Sequence, residues 1–342
     1  MFPDFHGNAS TAESLYQLTR QERLPQTLLF AGPEGVGKAT LARRFAAELL
    51  GGAEKIERDD LSLPGNVEIV ADREKWDANK RNEDPLLFAS HPDFVTFAPD
   101  GPMRQISIPQ MRMLKELCQF KPLRGKRRVF LIDHLDRANE QAANSLLKTL
   151  EEPPEHLIVI MTAENLYDLL PTIRSRAVPF YLAPLSDEEM SEFTRERGLT
   201  ESERRIALAA GSPGLAISMD LEAYDQRRTA MLELLKAGSG AGSFGGWARH
   251  SEALGMRKQD RLELLIKVLY SLLEDVLLAA NGAAVVRNAD IGVEIKSIAS
   301  RVSFRWLREA VRRIDELVEL ARRNAQKSIA LDALVVDLRR YV

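Results

Sequence analysis

The stretch TLLFAGPEGVGKATLARRFAAELL, residues 27–50, predicts how the fold begins. Its first five residues are mostly apolar, which is typical of a short strand buried on both faces. Residues 39–50 carry an apolar stripe at helical spacing, and the glycines before them fit the pattern G-x-x-x-x-G-K. A strand, a glycine loop and a helix in this order form the setting that a phosphate-binding loop requires.

The glycine loop supplies the groups that a nucleotide phosphate needs. Consecutive backbone N–H groups and a helix N-terminus face the anion, while a lysine reaches the outer phosphates. We therefore predict that Gly32, Gly35, Gly37 and Lys38 bind a nucleotide. The alternative is a glycine-rich turn with a lysine there by chance.

The residue after the lysine departs from this pattern. A Ser or Thr at this position normally ligates Mg²⁺ through its hydroxyl, and this chain has Ala39 instead. Thr40 remains a candidate contact to the nucleotide, but one helical step turns its side chain by about 100°, so it is a poor substitute. We expect ATP or ADP to bind in weakened form, and the sequence does not decide whether Mg²⁺ accompanies it.

A second nucleotide element is predicted at the end of the strand RRVFLID, residues 127–133. An acidic residue in this place, here Asp133, helps to hold Mg²⁺ in ATPases. The alternative is an ordinary strand-end aspartate that caps the next segment.

The remaining pattern of the N-terminal half predicts a doubly wound α/β domain, a parallel sheet with helices on both faces. The predicted strands are residues 27–31, 93–99, 104–108, 127–133, 156–162 and 177–182, and the helices are 39–50, 109–120, 139–152 and a short one within 170–176. Residues 51–90 are polar and contain Gly and Pro, which is typical of a long surface insertion.

The C-terminal half is predicted to be helical. Ser186 and Thr200 each precede a glutamate by three residues, as in capping boxes, and residues 237–246 have the composition of a flexible linker. The predicted helices are 186–198, 200–210, 222–236, 257–280, 303–323 and 327–341. We expect three parts: an α/β core over 1–184, a helical lid with linker over 185–246 and a helical domain over 247–342.

Composition excludes several classes of function. The net charge of −3 gives no bulk signature of nucleic-acid binding. The single cysteine, Cys118, excludes intrachain disulfides and cysteine-cluster zinc sites, and the scattered histidines predict no metal site. No apolar run has the length of a membrane span, so we expect no membrane contact and a cytoplasmic protein.

Four motifs carry a resemblance to a known family. They are GPEGVGKATLA, RRVFLIDHLDRANEQAAN, NSLLKTLEEPP and LLPTIRSRA. Together they resemble the clamp-loader family of AAA+ proteins, and in particular its delta-prime branch, over residues 1 to about 220. The later segment RRNAQKSIALDALVVDLRR is similar to the last collar helix of these proteins. The resemblance implies an AAA+ P-loop core, a small helical lid and a C-terminal all-α collar domain.

The resemblance assigns a role to Arg176. The family carries Ser-Arg-Cys after the last core helix, and its arginine reaches into the ATP site of a neighbouring subunit, where it neutralises developing charge. Ser175 and Arg176 match, while Ala177 replaces the cysteine. The implied role is therefore an arginine finger acting in trans. The alternative is a solvated surface arginine.

The same resemblance implies weakened chemistry in the chain's own site. Thr162 matches the residue with which the family senses the γ-phosphate. His134 replaces the glutamate that positions the attacking water, and Leu215 replaces a basic residue of the lid. The zinc module common in the delta-prime branch is excluded because residues 51–90 lack cysteine. We therefore expect little or no hydrolysis by this chain.

The implied function is that of a clamp-loader subunit, a component of the DNA polymerase III holoenzyme. Its implied partners are an ATPase subunit of the tau/gamma type and the clamp-opening delta subunit, with the sliding clamp and primer-template DNA reached through the complex. One rival is an active AAA+ ATPase, either the motor subunit of the loader or another remodeller. A DNA-binding module is a third hypothesis, which the balanced charge disfavours.

Overall fold

The computed structural model describes residues 2, 5–21, 23–256, 261–284, 287–322 and 326–342. The chain divides into two compact units. The first contains Met1–Leu199 and Gly211–Ile217, and the second contains Thr200–Ala210 and Ser218–Val342. The three-part division at residues 184 and 246 stays a prediction.

A six-stranded sheet forms the centre of the first unit. Its strands lie in the order β2-β3-β4-β5-β1-β6. They are β1 (Thr27–Ala31), β2 (Leu87–His91), β3 (Phe94–Phe97), β4 (Arg128–Ile132), β5 (Leu157–Ala163) and β6 (Val178–Tyr181). All neighbours pair in parallel except β2 and β3, which are antiparallel. Only two residues join β2 to β3, and so short a connection forces the chain to reverse. The sheet is therefore mixed at one edge.

Helices cover both faces of this sheet, as the sequence predicts. Successive residues of β1 point to opposite faces. Leu28 and Phe30 belong to one buried cluster, and Leu29 belongs to the other. The first-unit helices are α1 (Ala9–Arg20), α2 (Lys38–Leu50), α3 (Ala53–Glu57), α4 (Pro64–Arg73), α5 (Ala78–Glu83), α6 (Ile108–Leu117), α7 (Glu140–Glu151), α8 (Pro171–Arg174) and α9 (Asp187–Glu196). The α/β fold class is confirmed.

The strand predicted at 104–108 is wrong. The segment forms a turn with isolated bridges, one of which joins Asp100 to Gln105. Arg104 has a left-handed backbone with φ of 48°, which interrupts the alternation of an extended strand. Ser107 then accepts from the backbone N–H of Gln110 and begins α6 through a capping box.

The insertion at residues 51–90, whose structure the sequence leaves open, is folded. It contains α3, α4 and α5, and ends in β2. Val70 and Leu86 form a small buried cluster with Phe88 and Ala98. Most residues of these short helices are polar or charged, although Val67 and Ile69 of α4 are exposed, so composition alone does not reveal the helices.

The second unit is all helical. Its helices are α10 (Ser202–Ala209), α12 (Leu221–Gly238), α13 (Phe244–Met256), α14 (Leu262–Ala280), α15 (Gly292–Ala299), α16 (Phe304–Arg322) and α17 (Lys327–Arg339). Between α10 and α12 in sequence, α11 (Pro213–Ser218) belongs to the first unit except for its last residue. One large apolar cluster contains the fully buried Trp247 and Trp306. Trp306 donates from Nε1 to the carbonyl of Leu338 over 3.0 Å, which ties α16 to the last helix.

Several predicted boundaries in this half change. The capping box at Ser186 is confirmed, whereas that at Thr200 is wrong, because α10 begins after Glu201, whose φ is 51°. The segment 237–246, predicted as a flexible linker, is largely helical: its two ends belong to α12 and α13, and only residues 239–243 form a short turn, which contains the buried Ser239. Residues 257–260 and 323 of the predicted helices lie outside the described residues. In the part of the chain described, no helix is long and apolar enough to cross a membrane.

Candidate functional site

The loop between β1 and α2 has the conformation that its glycines allow. Gly32, Gly35 and Gly37 have φ of 153°, 78° and 99°, values that residues with a Cβ rarely adopt. A Cβ on Gly32 would lie 2.2 Å from the carbonyl oxygen of Leu182, so this position also lacks room for one. The predicted glycine loop is therefore present as a tightly turned segment at the start of α2.

Lys38 lies at the first position of α2 and is buried. Its Nζ donates to the carbonyl oxygens of Gly32 and Pro33, over 2.6 and 2.7 Å. Burial lowers the pKa of Lys38, and the nearby carboxylates, Glu164 first among them, partly oppose this shift. A phosphate bound in this loop would draw the ammonium away from these carbonyls.

Asp133 and Thr162 meet at the carboxyl ends of β4 and β5, which are neighbouring parallel strands. The buried hydroxyl of Thr162 donates to Oδ1 of Asp133 over 2.5 Å and accepts from the backbone N–H of His134 over 2.8 Å. His134 has a left-handed backbone with φ of 54°. The structure thus brings together two predicted site residues that lie far apart in sequence.

The first turn of α2 carries Ala39 and Thr40, and both are half-buried. Ala39 has no side-chain oxygen with which to ligate a cation. The position that completes the Mg²⁺ site in other phosphate loops is therefore apolar here.

Two apolar side chains lie against the loop glycines. The backbone N–H of Gly214 donates to the carbonyl of Gly35 over 2.8 Å, which brings the next residue, Leu215, to the loop. A Cβ on Gly35 would lie 2.9 Å from Cγ of Leu215, and one on Gly37 would lie 3.1 Å from the ring of Phe5. An apolar group thus occupies the position of the basic lid residue expected from the family.

Asp136 and Glu164 are site residues that sequence reasoning missed. The carboxylate of Asp136 accepts from the backbone N–H of Glu164 over 3.2 Å. Within the described residues, ligand-type atoms of His134, Asp136 and Glu164 all lie within 4.8 Å of one another, a set that could hold a divalent cation. The sequence could have pointed to both residues, because they follow the predicted strands β4 and β5, and parallel strands end at one edge of a sheet.

Arg176 follows α8 and is held by polar contacts. Its Nη2 donates to Oε1 of Glu151 over 2.6 Å, and its Nη1 donates to the carbonyl of Thr172 over 2.8 Å and to Oγ of Ser175 over 3.1 Å. The side chain remains 32% exposed. These hydrogen-bond partners lie outside its own phosphate loop. Glu151, at the end of α7, was not predicted.

Comparison with known proteins identifies the family of this chain. Residues 7–186 match the family model described as DNA polymerase III, delta subunit. The chain is 27% identical over 224 residues to DNA polymerase III subunit delta' of Pseudomonas aeruginosa, covering 64% of this chain and 63% of that protein. It is 29% identical over 217 residues to subunit delta' of Escherichia coli K12, covering 63% of each.

A DNA polymerase III subunit of another type is also similar to this chain. The chain is 27% identical over 230 residues to DNA polymerase III subunit tau/gamma of Haemophilus influenzae, covering 66% of this chain and 30% of that protein. A solved gamma subunit-related protein from Thermotoga maritima is 16% identical, with a TM-score of 0.48 and coverage of 96% of this chain and 99% of that one.

The fold and the phosphate loop define a P-loop protein with an α/β core, and the sequence relatives assign it to the clamp-loader class. The chain belongs to the DNA polymerase III delta subunit family, since the family model matches more than half of it. The resemblance found in the sequence motifs is thereby confirmed. The matched region spans about 63% of the length of the delta' relatives.

Proposed function

We propose that this chain is a delta-prime-like subunit of a bacterial clamp loader that hydrolyses little or no ATP itself. It supplies Arg176 to the ATP site of a neighbouring subunit of the tau/gamma type. The complex also contains a clamp-opening delta subunit and acts in the cytoplasm. It uses ATP to load a sliding clamp on primed DNA, and this chain reaches the clamp and the DNA through its partners.

Arg176 is the observation that carries this proposal. Its guanidinium lies at the protein surface in a defined orientation, held by Glu151, Thr172 and Ser175. A guanidinium in such a position can neutralise charge on a phosphoryl group presented by another chain. The match to family members of both the delta' and the tau/gamma types supports the assembly.

Weak hydrolysis by the chain itself is supported by its own phosphate loop. The left-handed glycines and the buried Lys38 fit a nucleotide phosphate, so we propose that ATP or ADP still binds, with reduced affinity. Ala39 offers Mg²⁺ no ligand, and Leu215 lies against Gly35 where the family has a cation. His134 lacks the carboxylate that would position water. Residues 51–90 contain no cysteine, so we propose no zinc site there.

The second candidate function is an active AAA+ ATPase. The glycine conformations of the loop and the pairing of Thr162 with Asp133 favour it, because both belong to a working site. Steady turnover by the isolated chain, abolished in Lys38→Ala, would support this candidate over the first.

The test is a reconstituted complex with the ATPase and clamp-opening subunits from the same cell. ATPase activity and clamp loading are measured with clamp and primed DNA for the wild type and for Arg176→Ala. An arginine finger contributes about 10³–10⁵ in rate at the site that it serves. Because only one of several sites would depend on Arg176, total ATPase should fall in part while clamp loading falls sharply.

Arg174→Ala is the matched control. Arg174 lies two residues away, and its guanidinium carbon lies 5.2 Å from the ring centre of Tyr167, so it has a local structural partner. Gel filtration first establishes that all variants assemble. Equal activity of wild type and Arg176→Ala in assembled complexes would leave Arg176 a surface arginine and remove the proposed mechanism.

A further inference from the structure

The contact between Arg176 and Glu151 joins two segments that are 25 residues apart. Nη2 of Arg176 donates to Oε1 of Glu151 over 2.6 Å, a short, charge-assisted bond. Both side chains are partly exposed, at 32% and 48%. Ion pairs in such positions contribute little to stability, so the orientation that the contact imposes is its main physical consequence.

The position of Glu151 at the end of its helix is by itself unfavourable for a carboxylate. It is the last residue of α7, which ends before Pro153 and Pro154. The C-terminus of a helix carries partial negative charge, so a carboxylate is unfavourable there unless a cation compensates it. Arg176 is that cation, and the carboxylate in turn draws the guanidinium to one place.

The guanidinium keeps donors free for another ligand. It has five N–H bonds. Among the described residues, three of these bonds donate to Glu151, Thr172 and Ser175, so two remain. An anion can therefore bind to Arg176 without displacing Glu151. An exposed arginine loses much rotamer entropy when it is immobilised, and this loss is smaller if the free chain already holds it.

We propose that Glu151 is a positioning residue that holds Arg176 in the orientation in which its free donors meet a phosphoryl group of the neighbouring subunit. This inference rests on the proposed function of Arg176. Glu151 itself touches no nucleotide. Its role is to restrict the guanidinium to few orientations before the phosphoryl group binds.

The first experiment measures the contact in the isolated chain. The protein is labelled with ¹⁵N-arginine, and the side-chain signal of Arg176 is identified by its absence in Arg176→Lys. Glu151→Ala should speed rotation of the Arg176 guanidinium, whereas Glu152→Ala should not. Glu152 is the matched control, because it is the next residue and forms no ion pair among the described residues. An unchanged Arg176 signal in Glu151→Ala overturns the inference, whatever Arg176 does in a complex.

The second experiment measures the consequence in the reconstituted complex. Glu151→Ala should lower the Arg176-dependent part of the ATPase rate by about tenfold, within the loss that misplacing a catalytic group causes. The effect should fall on kcat rather than on KM, because orientation at the reacting phosphate is what changes. Glu151→Gln keeps a hydrogen-bond acceptor and should lose less than Glu151→Ala.

A double variant separates a positioning role from a structural one. In the Arg176→Ala background, Glu151→Ala should have no further effect, since the two residues act as one unit. An equal loss in both backgrounds, or a faster rate in Glu151→Ala alone, overturns the inference while the function of Arg176 stands. If Arg176→Ala itself changes nothing, the proposed function fails, and Glu151 has no catalytic group to position.

Discussion

The hydroxyl of Thr162 donates to the carboxylate of Asp133 over 2.5 Å and at the same time accepts from the backbone N–H of His134. This arrangement links the ends of two central strands. It also fixes the carboxylate at the edge of the sheet where nucleotide phosphates bind in this class of fold.

Replacement of Thr162 by valine should therefore destabilise the first unit. Valine has nearly the same shape but leaves the Asp133 carboxylate and the N–H of His134 without this partner. Hydrogen bonds to charged groups contribute about 1.5–3 kcal/mol, and we expect a loss in that range. Urea unfolding measures it. Thr162→Ser keeps the hydroxyl and should lose clearly less, and equal losses in the two variants would contradict this account.

Gly32 and Gly51 offer a comparison between steric and conformational cost. Both have positive φ, but a Cβ on Gly32 would meet the carbonyl oxygen of Leu182, whereas one on Gly51 would meet nothing within 4 Å. Gly51 has φ of 73° and ψ of −173°, a region that essentially only glycine adopts, so Gly51→Ala should cost about 1–3 kcal/mol through conformation alone. Gly32→Ala should cost more than about 3 kcal/mol, because the backbone must also move.

Thermal or urea unfolding of the two glycine variants, each with circular dichroism to establish native helix content, gives the comparison. Similar losses in both would show that the loop around Gly32 relaxes freely, contrary to the tight turn described for it.

The insertion at 51–90 depends on a buried ion pair. Arg73 donates from Nη2 to Asp100 over 2.7 Å, and both side chains are about 5% exposed or less. Asp100→Asn leaves the arginine with the exposed Asp84 as its one acidic partner in the described part of the chain. Breaking a buried pair costs about 3–5 kcal/mol, so helix α4 should open more often.

Hydrogen exchange of peptides from residues 64–83 tests this expectation. The control is Lys75→Ala, which removes a largely exposed pair with Asp72 and should change exchange little. Unaltered protection of α4 in Asp100→Asn would mean that the apolar cluster alone holds the insertion.

Cys118 should be unreactive in the native protein. Burial raises the pKa of its thiol to about 12, so almost no thiolate forms at pH 8. A disulfide reagent at pH 8 should label the unfolded chain within minutes and the native chain only through opening. Because the folded pKa lies above the unfolded value, the contribution of this group to stability is complete below about pH 9 and is lost as pH rises toward 12. Rapid native labelling would contradict its burial.

Ala39→Thr should restore a missing ligand of Mg²⁺. We expect ATP binding to tighten by about tenfold, equal to about 1.4 kcal/mol, in the presence of Mg²⁺ and to stay unchanged in EDTA. Calorimetric titration measures both conditions, with Lys38→Ala as the variant that should bind more weakly in each. Turnover should not rise above that of the wild type, because His134 is unchanged. Equal tightening in EDTA would show that the hydroxyl acts without the metal.

Much of the nucleotide site could be predicted because its signals are local. Gly32, Gly35, Gly37 and Lys38 lie within seven residues, and their spacing alone predicts a loop that turns at the start of a helix. The buried strands are apolar throughout, which is also a local pattern. The strand predicted at 104–108 is wrong because this local pattern misleads: a few alternating residues do not reveal that the segment forms a turn.

The sequence by itself determined the α/β core, its phosphate loop, the helical C-terminal half and the family, because periodicity and motifs depend on neighbours along the chain. Only the tertiary structure decided that Thr162 bonds to Asp133, that Glu164 bonds to Asp136, and that Glu151 holds Arg176. These pairs form between segments about 25 to 30 residues apart, and a hydrogen bond across such a distance leaves no periodic pattern in either segment.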